Sequence, residues 1–88
     1  MLRPLVDGFL VERYWPGVTP DGVRCMNDRL GAVQRADIVF LGSILVAADE
    51  VVLFAFRAAD AVTVAALGQQ AGLRCDRIVA VAYAGSIS

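Results

Sequence analysis

Histidine is absent from this 88-residue chain, and with it go the commonest general base at neutral pH and the commonest transition-metal ligand. A Ser-His-Asp or Cys-His mechanism within the chain is thereby excluded. Lysine is absent too: all eight basic residues are arginine, spread from Arg3 to Arg77. Against nine acidic residues they leave a net charge of -1. With no basic stretch, the chain lacks the face that nucleic-acid phosphates require, so no nucleic-acid partner is expected. The two cysteines, Cys25 and Cys75, have neither a CxxC nor a metal-finger spacing. They read as reduced, small apolar residues of the kind usually buried, not as zinc ligands. Gly17, Gly22, Gly31 and Gly42 stand singly, outside any GxGxxG or GKS/T context, which speaks against nucleotide binding. No stretch reaches the roughly 18 uninterrupted apolar residues of a membrane span. Phe9-Leu10-Val11 is also too short a run for the apolar centre of a secretory leader. A cytoplasmic location with no membrane partner is the expectation.

What is present in excess is grease. The chain is 58% hydrophobic and only 19% charged, although a small globule has proportionally more surface to keep wet. An apolar surface of that kind usually marks an interface. Residues 1–8 read as an N-terminal extension and 9–88 as one domain.

The order of elements follows from local signals. Phe9 to Trp15 is rich in aromatic and branched residues and stops at Pro16-Gly17, which reads as a first strand and its turn. Thr19 can cap a helix with Pro20 at its first position, and Val23, Met26, Leu30 and Val33 recur at helical spacing up to about Gln34, with Arg24, Asn27, Asp28 and Arg29 mostly toward water. Asp37 to Val46 reads as a second strand in which Gly42 predicts a bend or bulge. Ala47-Ala48-Asp49 is a short connection to a third strand from Glu50 to about Arg57, the two strands forming a hairpin. Asp60 caps a second helix whose apolar face is Val64, Leu67 and Ala71 and whose C-terminal glycine is Gly72. Asp76-Arg77 precedes a last strand, IVAVAYA. The order βαββαβ is that of the α+β ferredoxin-like fold, a four-stranded antiparallel sheet with two helices on one face.

The strands IVFLGSILV, VVLFAF and IVAVAYA do not alternate apolar with polar, as strands with one wet face should. Two helices cover one face and nothing else in the chain is long enough to cover the other. A homodimer packed sheet against sheet is the economical expectation.

LVERYWPGVTP, then FLGSILVAADEVVLFAF, then QQAGLRCDRIVAV, carry a resemblance over Phe9 to Val81. On the order ERYWPG, ADEVV, AGLxxDRI the chain resembles a small actinobacterial domain-of-unknown-function family with a nickel-binding member. The resemblance implies a ferredoxin-like fold that pairs into a dimeric α/β barrel, and carboxylates near the sheet as holders of a metal. Nickel itself is not carried over to a chain without histidine, since the remaining oxygen donors suit magnesium, calcium or manganese better.

Glu12 and Arg13 sit side by side in the first strand, so their side chains leave opposite faces. A charge in a central strand must find a partner or a mouth open to water. In a functional reading Glu12 is base or ligand in a pocket between sheet and helices, with Tyr14 as hydrogen-bond donor beside it. In a structural one, Glu12 pairs with Arg77 or Arg57, and Arg13 lies along Trp15 or reaches an acidic group of the dimer partner. Trp15 reads as a packed corner or the rim of a pocket mouth. Asp49 and Glu50 are the adjacent acidic pair at the hairpin tip, a solvated turn or, with Glu12, weak metal ligands. Asp76-Arg77 sets the start of the last strand or makes an ion pair across the sheet. Three functions fit these residues: a non-catalytic module holding a small ligand or a cation in the sheet-helix cleft, a cofactor-independent oxygenase or isomerase in a dimeric barrel, and a structural interaction subunit.

Overall fold

A computed structural model of the chain describes residues 7–33 and 35–82. Its elements are β1 (Asp7–Tyr14), α1 (Pro20–Val33), β2 (Ile38–Val46), a single 3₁₀ turn (Ala47–Asp49), β3 (Val51–Ala58), α2 (Ala61–Ala71) and β4 (Arg77–Ala82). The strands form one antiparallel sheet in the order β2-β3-β1-β4, which makes β1 central and the fold ferredoxin-like. Several boundaries shift by a residue or two. β1 starts at Asp7, inside the expected extension, because Asp7 and Gly8 pair with Ala82 and Val81. Tyr14, not Trp15, closes β1, and β3 opens at Val51 because Glu50 is left-handed. The expected outer residues Gln34, Tyr83, Ala84 and 1–6 lie outside the described residues.

One face of the sheet holds the core. Val52, Phe54, Phe56 and Ala58 of β3 and Val11 of β1 are buried against Val23, Met26 and Leu30 of α1 and Val64, Leu67 and Ala71 of α2. Burial alternates strictly along β3 although its sequence, VVLFAFRA, scarcely alternates. The helices therefore cover only one of two apolar rows. Phe40 stacks obliquely on Phe54 and Phe56, with ring centroids 6.5 and 5.4 Å apart, an arrangement that adds to the area each ring buries.

Two local devices set the phase of these elements. α2 begins where the Asp60 carboxylate accepts the Thr63 backbone N–H at 2.8 Å, and ends at Gly72, whose φ of 79° lets its own N–H reach back to Gln69 and Gly68 carbonyls. In β2 the register slips between Phe40 and Gly42, leaving Leu41 unpaired, with Gly42 at φ 135°. This bulge reverses the rest of the strand. Ser43 turns inward, where its hydroxyl donates to Asn27 Oδ1 of α1 at 2.8 Å, and Ile44 turns outward, 61% exposed. Asn27 is thereby drawn into the helix-sheet contact and is not simply a solvent-facing residue.

Candidate functional site

Odd-numbered residues of β1 face the helices and even-numbered ones the open side. Val11 is fully buried; Arg13 is the next inward position, half-buried. A guanidinium is tolerated on this row because β4 stops short of it. The β1-β4 ladder ends at the Glu12–Arg77 pair, and beyond it the Tyr14 N–H is taken by the Asp76 carboxylate, Oδ2, at 2.8 Å. Past that point the sheet is one strand narrower and a cleft opens between β1 and the helices.

Trp15 forms the next wall. Its N–H donates to the Glu50 carbonyl at 2.7 Å, its carbonyl accepts from Val18 N–H, and Glu50 Oε2 accepts the Gly17 N–H at 2.8 Å. The corner is thus closed by the hairpin tip, and Glu50 adopts a left-handed conformation, φ 53°, to do so. The Arg13 guanidinium carbon lies 3.8 Å from the centroid of the indole ring, a cation-π stack. The indole also meets Gly22 of α1, where a β-carbon would come within 3.4 Å of the ring. Thr19 caps α1 as expected, accepting the Gly22 N–H on its hydroxyl.

The cleft measures about 230 Å³ and is bounded by Arg13 and Trp15 from β1 and its corner, by Gly22, Cys25, Met26 and Arg29 from α1, and by Gly72 at the end of α2. The Arg29 guanidinium rests against Gly72, Nη1 lying 3.4 Å from where a β-carbon would be. That position is the C-terminal end of α2, where the helix dipole favours a cation. Arg13 Nε is buried and has no hydrogen-bond partner, a loss of solvation worth about 1–3 kcal/mol. Burial weakens the proton's hold on this guanidinium, Asp76 partly restores it and Arg74 opposes it further. Asp76 does not complete the pair: its Oδ2 accepts from the Tyr14 N–H and its Oδ1 from Arg74 Nε at 3.0 Å. The Tyr14 backbone N–H first, then Arg74, with the Arg13 charge behind them, holds the Asp76 carboxyl below its ordinary range against a smaller opposing effect of burial.

The sequence candidates divide between two faces. Arg13 lies along Trp15 in the cleft, as the structural reading expected. Glu12 and Tyr14 do not belong to a sheet-helix pocket: both lie on the open face, with Glu12 Oε2 3.8 Å from Arg77 Nη1 and Tyr14 55% exposed. The correction has a simple cause, since the row carrying Val11, not the row carrying Leu10, is the one the helices cover. Asp76 both continues the β4 ladder, donating its N–H to the Glu12 carbonyl at 3.0 Å, and ties down Tyr14; Arg77 supplies the ion pair. Asp49 is exposed in the 3₁₀ turn, and the half-buried Glu50 is in addition the clasp of the Trp15 corner. Among the described residues no three His, Cys, Asp or Glu side chains converge on a point, so Glu12, Asp49 and Glu50 do not assemble a metal site and the arrangement does not fit nickel. Cys75 is half-buried, its thiol pushed up by burial and by Asp76. Cys25 is exposed on the cleft rim, contrary to the expectation of a buried thiol.

Arg29, Cys25 and Gly72 are the cleft residues that no local pattern marks as functional. The one available signal is spacing: Gly22, Cys25, Met26 and Arg29 fall three and four apart on α1 and so share a helix face. Comparison with family models, curated proteins and solved structures finds no match to this chain.

Proposed function

We propose that the protein is a small, non-catalytic binding module that works as a homodimer and holds a small ligand in the cleft beside Arg13 and Trp15. The observation that carries this reading is the stacked, acceptorless Arg13 guanidinium in a cleft of about 230 Å³. Such a group is costly to maintain by packing alone, and convergent polar groups in a concavity are the usual mark of a ligand site. The enzyme alternative loses its base, because Glu12 and Tyr14 are not in the cleft. A cation is a poor occupant for a cleft walled by two arginines.

The dimer is supported by the open sheet face. Leu10, Leu53, Ala55, Ile44, Val79 and Val81 lie there in register, Ile44 at 61% and Val81 at 38% exposure. Its charges sit at opposite ends, Glu12 with Arg77 at one and Arg57 at the other. A two-fold packing with strands antiparallel sets Arg57 of each copy toward Glu12 of the other. Four strands at about 4.8 Å spacing and eight residues of about 3.3 Å rise offer some 500 Å² per copy before side-chain relief is counted. Two such faces reach the roughly 1,000 Å² at which specific interfaces begin. This arrangement is the dimeric barrel that the resemblance to the nickel-associated family implies, and it suits a cytoplasmic protein. Light scattering at micromolar concentration tests it: twice the mass of one chain is expected, and a monomer removes the dimer from the proposal.

A further inference from the structure

We infer that the Arg13–Arg29 cleft is a site for a small oxyanion, a molecule presenting a carboxylate or phosphate group. The inference rests on the proposed role of this cleft as a ligand site and specifies its chemistry.

Charge is the first ground. Two guanidinium groups line the cleft and no carboxylate does. Among the described residues, arginines 24, 35, 74 and 77 each have an acidic partner within 4 Å, whereas Arg13, Arg29 and Arg57 have none, Arg57 lying on the open face of the sheet. Asp76, whose charge reaches Arg13, forms no ion pair with it and bonds Tyr14 and Arg74 instead. Two of the three described arginines without an ion-pair partner thus face one concavity.

Preorganisation is the second. Arg13 rests over an indole that touches Gly22 and whose corner Glu50 ties down, and Arg29 rests at the end of α2. A guanidinium fixed in this way loses little freedom when it forms its paired hydrogen bonds to a carboxylate or phosphate. Volume limits the class further. At about 230 Å³ the cleft is smaller than the roughly 300–1,000 Å³ of drug-sized sites, so a malonate- or phosphate-sized anion fits and a nucleotide does not.

The chain supplies its own reporters. Trp15 is the single tryptophan and Cys25 lies on the rim. The experiment titrates Trp15 emission with malonate, inorganic phosphate, the neutral isostere malonamide, tetramethylammonium chloride, and sodium chloride at matched ionic strength. Mass spectrometry follows iodoacetamide labelling of Cys25 in parallel. Saturable quenching by malonate or phosphate is expected, with slowed Cys25 labelling and at least tenfold weaker binding in Arg29→Gln, an exposed change that leaves the core intact. Which of the two anions binds tighter assigns the group as carboxylate or phosphate. If malonamide or tetramethylammonium saturates while the anions behave as chloride, the oxyanion inference is overturned and the ligand site stands. Unchanged anion affinity in Arg29→Gln overturns it too, by placing the binding elsewhere. No saturation and no protection of Cys25 by any probe removes both the inference and the ligand-site proposal.

Discussion

Asp76 shows how much a single side chain does at the edge of a sheet. Its N–H extends the β1-β4 ladder, one carboxylate oxygen substitutes for the strand that ends there, and the other holds Arg74. These donors stabilise the charged form, so the folded pKa lies below the ordinary 3.8. A depressed acid contributes stability that is fully present above its unfolded pKa and lost as pH falls through the folded one. Asp76→Asn is therefore expected to lower Tm at pH 7 and to flatten the decline of Tm below about pH 4. Thermal unfolding of both proteins from pH 7 to pH 2 checks it, and parallel curves contradict the assignment. Asp60, held low by the Thr63 hydroxyl and then by its N–H, adds a slope of the same sign that both proteins share. The double role of Asp76-Arg77 is legible in the sequence because it concerns one strand start. Glu50 is not: its side chain closes a corner 33 positions away. Glu50→Ala should cost about 1 kcal/mol, the usual net value of a hydrogen bond, in urea unfolding.

At the scale of elements, caps and breakers carry most of the information. Asp60, Gly72, Thr19 and Gly42 each act where the sequence puts them, because capping and positive φ are demands of a few adjacent residues. The bulge at Gly42 is readable, but its consequence is not. Reversing the phase of β2 sends Ile44 outward and brings Ser43 to Asn27, and only pairing with β3 decides on which side of the glycine the register slips. At φ 135° a side chain is strained even though nothing within 4 Å obstructs it. Gly42→Ala is expected to lose at least about 1 kcal/mol in urea unfolding. A larger alanine effect at Gly31, which sits in a helix with open space around it, is the result that contradicts this account, since alanine there favours the helix.

At the scale of the molecule, the sheet has one face filled by the helices and one apolar face that no other described residues cover. Phe54, Phe56, Leu30 and Leu67 lie under the helices with exposures of 1% or less, while Ile44 and Leu41 stand outside at 61% and 53%. No helix of the described residues is long and apolar enough to cross a membrane. If a second copy covers the open face, folding and association are linked and Tm rises with protein concentration. Ile44→Asp, on the exposed face of the edge strand β2, should abolish this dependence and halve the mass in solution without touching the core. A wild-type Tm independent of concentration over a hundredfold range counts against the dimer.

Apolar periodicity, caps, a bulge glycine and the order of strands and helices determined the ferredoxin-like topology, because each is a preference of residues a few positions apart. The separation of Glu12 from Arg13 followed in the same way from the two-residue period of a strand. Tertiary structure alone decided which of the two faces would be inside. Both rows of β1 mix apolar residues with a charge, so nothing local ranks them. The choice belongs to the crossovers β1-α1-β2 and β3-α2-β4, which lay both helices over the Val11 row. Of the sequence candidates, that long-range placement kept Arg13 and Trp15 in the cleft and left Glu12 and Tyr14 outside it, and it brought Arg29 and Gly72 to them from distant elements.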